Sequence, residues 1–314
     1  MFLSRRSFLS GAAATAAWAA PSPWLLGANT AVQGYGLYPA IELVRQLEFP
    51  VIEIHPMGRP DPVPRTFPGF QFDQLDQAEK AKLRRALRPF RRITTHLPYT
   101  GLNWLSADAA TRAHAVRTID IALEGSAYLG ARLAVLHPQS VTNEPWERRE
   151  EECATAIGRW GERAGKLGVK LAVETGWPPS IASFVRLLEK VNHPAVEATI
   201  DVGHQGRYAE LVAKVKTEDR AKPAAVAAYN DTTIEIIRKL GAKVVHLHVH
   251  DIDPATWVEH KPMVHGFVDY PRIFAALREV RYQGALVLEI GGDPERMPGY
   301  LREARDRFRG WLRT

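Results

Sequence analysis

Short, continuous apolar runs recur along this chain, separated by longer stretches in which apolar residues return every three or four positions. The runs are Val51-Ile52-Glu53-Ile54, Arg92 to His96, Leu133 to His137, Val169 to Glu174, Val196 to Asp201, Val244 to His248 and Ala285 to Glu289, with a weaker one near Ala31 to Gly36. Unbroken apolar runs of this length mark strands buried on both faces, as in a parallel sheet. The intervening periodicity predicts helices near 39–47, 73–89, 108–129, 146–166, 180–190, 225–240, 270–281 and 294–312. Eight strand–helix units in series predict an α/β fold of the (β/α)8 TIM-barrel type, one domain over residues 29–314. A doubly wound open sheet is the alternative, but no glycine-rich phosphate fingerprint follows the first run. The stretch from Arg59 to Phe70 carries four prolines and reads as a long loop at the barrel mouth.

The residues that close these runs change the picture from architecture to chemistry. They are Glu53, His96, His137, Glu174, Asp201, His248 and Glu289. In a barrel of parallel strands all such ends meet at one mouth. Asp201-Val202-Gly203-His204 puts His204 close enough to Asp201 to face the same pocket. In His246-Leu247-His248-Val249-His250 alternation sends the three imidazoles to one side, and His248, nearest the tip, is the metal-ligand candidate. His246 lies deeper and reads as a packing or supporting residue, while His250 and Asp251 fall in the following loop. Glu174 and Glu289, from different strands, suit proton transfer at a carbon next to a metal-held oxygen. Burying so many carboxylates and imidazoles without an ion or partner is very costly.

These residues resemble a known superfamily. The order Glu174, Asp201-x-x-His204, His246-x-His248 and Glu289 is similar to that of the xylose-isomerase-like barrels, over about residues 31–314. Members of that superfamily include sugar epimerases, hydroxypyruvate isomerases, inosose dehydratases and AP endonucleases. In its epimerase branch the resemblance implies Glu174, Asp201, His248 and Glu289 as ligands of a divalent ion (manganese, magnesium, cobalt or zinc). It further implies Glu174 and Glu289 as the acid/base pair and His204 as a substrate contact. Thr95-His96-Leu97-Pro98-Tyr99, Leu136-His137-Pro138 and His260 resemble motifs of the endonuclease branch, which binds three zinc ions. That branch has an Asp two residues before the loop histidine, where this chain has Val258, and its Gly-x-Gly is replaced by His265-Gly266-Phe267.

The expected activity is therefore a metal-dependent sugar isomerase or epimerase, or a related lyase, working through an enediolate on a sugar, keto-sugar or polyol. A zinc phosphodiesterase is the alternative, and a non-catalytic sugar-binding barrel a third reading. His96, His137 and His260 are further substrate-binding candidates. Trp104 and Trp177, each soon after a strand end, are candidates to stack on a pyranose face. Net charge is +6, and its densest cluster, Arg84, Arg85, Arg88, Arg91 and Arg92, is spaced as a solvated helix face, so no nucleic-acid partner is expected. Barrels of this superfamily often pair, which makes a homodimer an expectation.

The single cysteine, Cys153, rules out an intrachain disulfide. Residues 1–28 read as a signal peptide and linker. Ser4-Arg5-Arg6-Ser7-Phe8-Leu9 precedes a small-residue, uncharged stretch from Gly11 to Ala20, with Ala17-Trp18-Ala19 at peptidase spacing. The apolar part is too short for a stable membrane span. The expected location is the periplasm, reached in the folded state by the twin-arginine route. Replacing Arg5 and Arg6 with Lys is expected to hold the precursor in the cytoplasm. A fractionation blot with normal periplasmic protein contradicts the export assignment.

Overall fold

The computed structural model describes residues 24–32, 34–56, 68–138, 144–264 and 266–313. The twin-arginine stretch and most of the proline-rich segment lie outside these. Among the described residues nine strands follow in chain order: β1 Leu25–Asn29, β2 Val51–Pro56, β3 Gly69–Phe70, β4 Arg92–His96, β5 Leu133–Leu136, β6 Lys170–Glu174, β7 Val196–Asp201, β8 Val244–Val249 and β9 Ala285–Leu288. All pairings between them are parallel, and β1 closes the ring by bonding both β9 (Leu25 opposite Ala285) and β2 (Gly27 opposite Val51). The short β3 extends the upper end of β2, with His55 opposite Gly69. The eight other strands form the closed barrel.

The first strand is not where the periodicity put it. It occupies Leu25–Asn29 rather than the region of Ala31 to Gly36, so the barrel begins inside the stretch read as signal and linker. Its apolar signal is weak for a packing reason. A Cβ on Gly27 would come within 2.7 Å of Val51 Cβ, so only glycine lets these two strands approach. Trp24, just ahead of it, anchors the strand. Its indole Nε1–H donates to the Tyr282 carbonyl at 2.7 Å, and its ring packs edge-on to Phe274 and Tyr282.

The helices wrap the ring, and several are punctuated by the side chains that the sequence supplies. Asp76 and Glu79 form a reciprocal capping box at the start of the helix Gln77–Leu87. Asp108, Ser180 and Asp269 cap the helices Ala109–Leu129, Ile181–Val191 and Tyr270–Glu279. Their apolar faces bury Ile119, Leu123, Phe184, Leu187, Ile273 and Phe274 against the outer sides of the strands. Among the described residues no helix is long and apolar enough to cross a membrane.

Trp24→Ala removes an aromatic anchor and a buried hydrogen bond from the seam that closes the barrel. The substitution is expected to cost about 3–5 kcal/mol, as other large-to-small core changes do. An unchanged urea midpoint contradicts the placement of β1 in the closed ring.

Candidate metal centre and pocket

Parallel strands deliver their C-terminal ends to one mouth, and the chemistry collects there. Glu174 ends β6, Asp201 ends β7, His248 is the penultimate residue of β8, and Glu289 follows β9. Their ligand atoms all lie within 4.8 Å of one another. His248 Nδ1 sits 2.5 Å from Glu174 Oε1, 3.1 Å from Glu289 Oε2 and 3.8 Å from Asp201 Oδ2. Two further donor sets adjoin this one through shared carboxylates: His96, His137 and Glu174 on one side, and Asp201, His204 and His260 on the other. His137 Nε2 lies 2.5 Å from Glu174 Oε2, yet the geometry there is not that of a hydrogen bond and the oxygen has no such partner.

The histidine tautomers follow from what each ring touches. A carbonyl oxygen only accepts, so a ring nitrogen bonded to one carries the proton. His96 Nδ1–H donates to the Leu97 carbonyl at 3.0 Å, His204 Nδ1–H to that of Thr175 at 2.6 Å, and His260 Nδ1–H to that of Glu289 at 2.9 Å. In the neutral ring each then turns an Nε2 lone pair toward the carboxylate cluster. His96 Nε2 is 3.6 Å from Glu174 Oε2, and His204 Nε2 is 3.8 Å from Asp201 Oδ1. Lone pairs facing carboxylate oxygens repel unless a cation lies between them. Imidazoles tied back by one nitrogen with the other directed at carboxylates have the orientation that metal ligands need. The donor set fits a divalent ion.

Electrostatics express the same demand. Burial raises the carboxyl of Glu174, but His137 and His248 outweigh it and hold it well below the usual range. Burial opposes a charge on His96, yet Glu174 foremost, with Glu289 and Glu53, pushes it up to about 9. His248 is raised well above the ordinary histidine value, against its burial, by Glu53, Glu289 and Glu174. Without another cation, protons on imidazoles neutralise the cluster. Asp201 is held below its ordinary value, despite burial, by His204 and His250. It accepts the Gly203 N–H at 2.6 Å and His250 Nε2–H at 3.1 Å. A Cβ on Gly203 would come within 2.4 Å of the His250 ring, which explains the glycine in Asp201-Val202-Gly203-His204.

Above the cluster lies a cavity of about 450 Å³, walled in part by Tyr99, His137, Trp177, His204, Arg207 and Glu259. Glu174, Glu289, His96 and His260 reach its floor and sides. Tyr99 stacks on His137 with ring centroids 4.2 Å apart, and its hydroxyl is pushed up to about 12 by burial with Glu289 and Glu174, so it stays a neutral donor. Arg207 and Glu259 form an ion pair at the rim.

The sequence-predicted residues Glu174, Asp201, His248, Glu289, His96, His137, His204, His260 and Trp177 are thus all brought to one mouth, where all but the fully buried Asp201 and His248 line the cavity. Trp104 is not. It is 2 % exposed and packs edge-on against Trp160 at 5.2 Å, so its proximity to a strand end did not make it a pocket wall. Glu53 is also displaced from its expected level. The strand β2 continues to Pro56, which leaves Glu53 in mid-strand beneath the mouth, bonded to His246 and His248. His250 lies in the loop after β8, as expected, and is fully buried against Asp201; Tyr99 and Arg207 line the cavity without a signal in the sequence. Val258, where the endonuclease motif has Asp, is half exposed.

A family model described as a xylose isomerase-like TIM barrel matches residues 41–313. The chain belongs to that family. Among solved structures, this xylose isomerase-like barrel superimposes on a D-psicose 3-epimerase crystallised in the presence of D-fructose, at 18% identity and a TM-score of 0.69, covering 92% of this chain and 100% of that one. The D-psicose 3-epimerase of Clostridium cellulolyticum H10 with D-tagatose aligns at 16% identity and a TM-score of 0.69, over 92% and 99%. The 3-keto-D-glucoside 4-epimerase of E. coli aligns at 15% identity and a TM-score of 0.60, over 90% and 99%. At these identities the likeness is one of fold. An uncharacterised protein of Methanocaldococcus jannaschii is 23% identical over 212 residues, which cover 63% of this chain and 64% of that one. The match thus spans less than two thirds of that relative.

Glu174→Gln and Asp201→Asn each remove an anionic donor from the central set. Both are expected to lower the divalent-metal content of the purified protein strongly, as measured by elemental mass spectrometry. Unchanged content in both variants contradicts the ligand assignment.

Proposed function

We propose that this protein is a divalent-metal-dependent isomerase or epimerase acting on a sugar, keto-sugar or polyol, with Glu174, Asp201, His248 and Glu289 as the ligands. The carrying observation is that Glu174 and Glu289 both line the cavity while both approaching His248 Nδ1. An ion held there would supply Lewis-acid polarisation of an adjacent substrate hydroxyl or carbonyl, acidifying the neighbouring C–H. The rest is done by the chain. Glu289, at 13% side-chain exposure against 1% for Glu174, is the carboxylate with more room to take a proton from carbon. Glu174 stands on another strand and returns a proton from a different direction, which is what inversion or transposition at a carbon requires. His204 and Tyr99 offer polar contacts to substrate oxygens, and Trp177 offers an apolar wall for a ring face. The sugar epimerases with the same fold support this substrate class. Export by the twin-arginine route, which we also propose, favours unphosphorylated sugars or glycosides.

A second reading has one specific observation in its favour. The two flanking donor sets share Glu174 and Asp201 with the central one, an arrangement suited to more than one ion and to a zinc phosphodiesterase. Val258 weighs against it, because that position offers no carboxylate to the third set. About one ion per chain by elemental analysis supports the isomerase, and about three support the hydrolase.

The test is a panel of sugars and keto-sugars incubated with metal-loaded protein in heavy water and followed by NMR. One substrate is expected to take up solvent deuterium at a single carbon. Glu289→Gln, compared at saturating metal, is expected to slow that exchange by about 10²–10⁴, the usual loss for a missing general base. His204→Asn is expected mainly to raise KM. Near-normal exchange by Glu289→Gln with a full metal complement removes the two-carboxylate mechanism. No exchange or turnover across the panel favours a non-catalytic barrel.

A further inference from the structure

Beneath the mouth lies a second polar layer that the proposed chemistry does not use. Glu53 projects inward from the middle of β2 and is fully buried. One of its oxygens, Oε1, lies 2.9 Å from His248 Nε2, and the other, Oε2, lies 3.0 Å from His246 Nε2 and accepts the Thr94 hydroxyl at 3.0 Å. Thr94 is the residue opposite Glu53 on the neighbouring strand β4, whereas the two histidines come from β8, 193 and 195 residues away. We propose that Glu53 is the positioning residue of the metal centre: by accepting hydrogen bonds from the Nε2–H groups of both His246 and His248, it leaves Nδ1 of His248 as the nitrogen that would face an ion held with Glu174, Asp201 and Glu289. This rests on the reading that those four residues hold an ion.

An ionised carboxylate can only accept, so a ring nitrogen hydrogen-bonded to Glu53 must carry a proton. Without an ion the same rule puts a proton on His248 Nδ1 as well, since that nitrogen is hydrogen-bonded to Glu174 Oε1 at 2.5 Å; an ion among Glu174, Asp201 and Glu289 would replace that proton and meet the Nδ1 lone pair, because Nε2–H is held by Glu53. Glu53 therefore settles which nitrogen faces the ion, and it holds the plane of the ring by a bond on the far side. His246 and Thr94 hold Glu53 in turn, each occupying its second oxygen so that it cannot swing away. A separate ion bound by Glu53, His246 and His248 is the competing use of the same atoms, since they too lie within 4.8 Å of one another. Thr94 favours hydrogen bonding, because its hydroxyl already donates to the Oε2 that faces His246.

Glu53→Gln keeps the shape but replaces one acceptor by an amide NH₂. One of the two imidazoles then meets a donor and has to move its proton to Nδ1. Zinc affinity of the full chain, measured by competition with a chromogenic chelator, is expected to fall about 10- to 100-fold, the usual effect of losing such a supporting carboxylate. Equal affinity in a folded Glu53→Gln variant overturns the proposal, as does the loss of one zinc equivalent, which would make Glu53 a ligand. The unmutated chain gives a second readout that does not depend on the variant folding. Long-range ¹⁵N–¹H spectra of histidine-labelled protein, with or without zinc, are expected to have Nε2 protonated on both His246 and His248. An Nε2 without a proton on His248 contradicts the proposal. If the unmutated chain binds neither zinc nor manganese, the metal reading fails, and an Nε2 without a proton on His248 in the metal-free protein overturns the role of Glu53 separately.

Discussion

Mutual repulsion among four carboxylates governs the mouth of this barrel. Glu53, Glu174 and Asp201 are buried and Glu289 nearly so, all within one end of a closed ring. Moving a single carboxylate from water to a dry interior costs on the order of 20 kcal/mol in the idealised limit and several kcal/mol after relaxation. No arrangement of apolar neighbours offsets that. What surrounds the four is a set of histidines from β4, β8 and the loops after β5, β7 and β8, with several rings tied back by a carbonyl or carboxylate. Without a cation the cluster must be neutralised by protons on imidazoles, as the raised values of His248 and His96 express. With a divalent ion the lone pairs and carboxylates meet a single positive charge instead.

That constraint also explains how the layers divide. In the upper layer Glu174 and Glu289 line the cavity, while Asp201 and His248 are fully buried beside them. The lower layer, Glu53, His246 and Thr94, is sealed from the cavity and has its hydrogen bonds filled. Glu289, the least buried of the four carboxylates, stands where upper layer and cavity meet. In the proposed mechanism the depth of each carboxylate in the bore separates proton transfer from support.

Much of this was legible in the sequence, for one geometric reason. Strands that are buried on both faces read as unbroken apolar runs, and in a parallel barrel the residue ending each run arrives at the same mouth. Glu174, Asp201, His248, Glu289, His96 and His137 could be gathered that way. The failures have physical causes too. β1 was misplaced because Gly27, needed for close approach to Val51, breaks its apolar signal. Glu53 was read as a tip because Ile54 ends the apolar run, whereas the strand continues through His55 to Pro56 and leaves Glu53 a layer lower. Its histidine partners are on β8, nearly two hundred residues away, a pairing that no local pattern carries. Trp104 folds back onto Trp160, and the depth of a loop residue has no periodic signature. Tyr99 and Arg207 reach the cavity from loops for which the same is true.

The account stands or falls on where the ion sits. The most direct measurement is a crystal structure of manganese-loaded protein with an anomalous difference map collected at the manganese edge. The account predicts a peak within bonding distance of Glu174, Asp201, Glu289 and Nδ1 of His248, with Nε2 of that ring still turned toward Glu53. No peak among those four residues, or one bound by His248 Nε2, would contradict it.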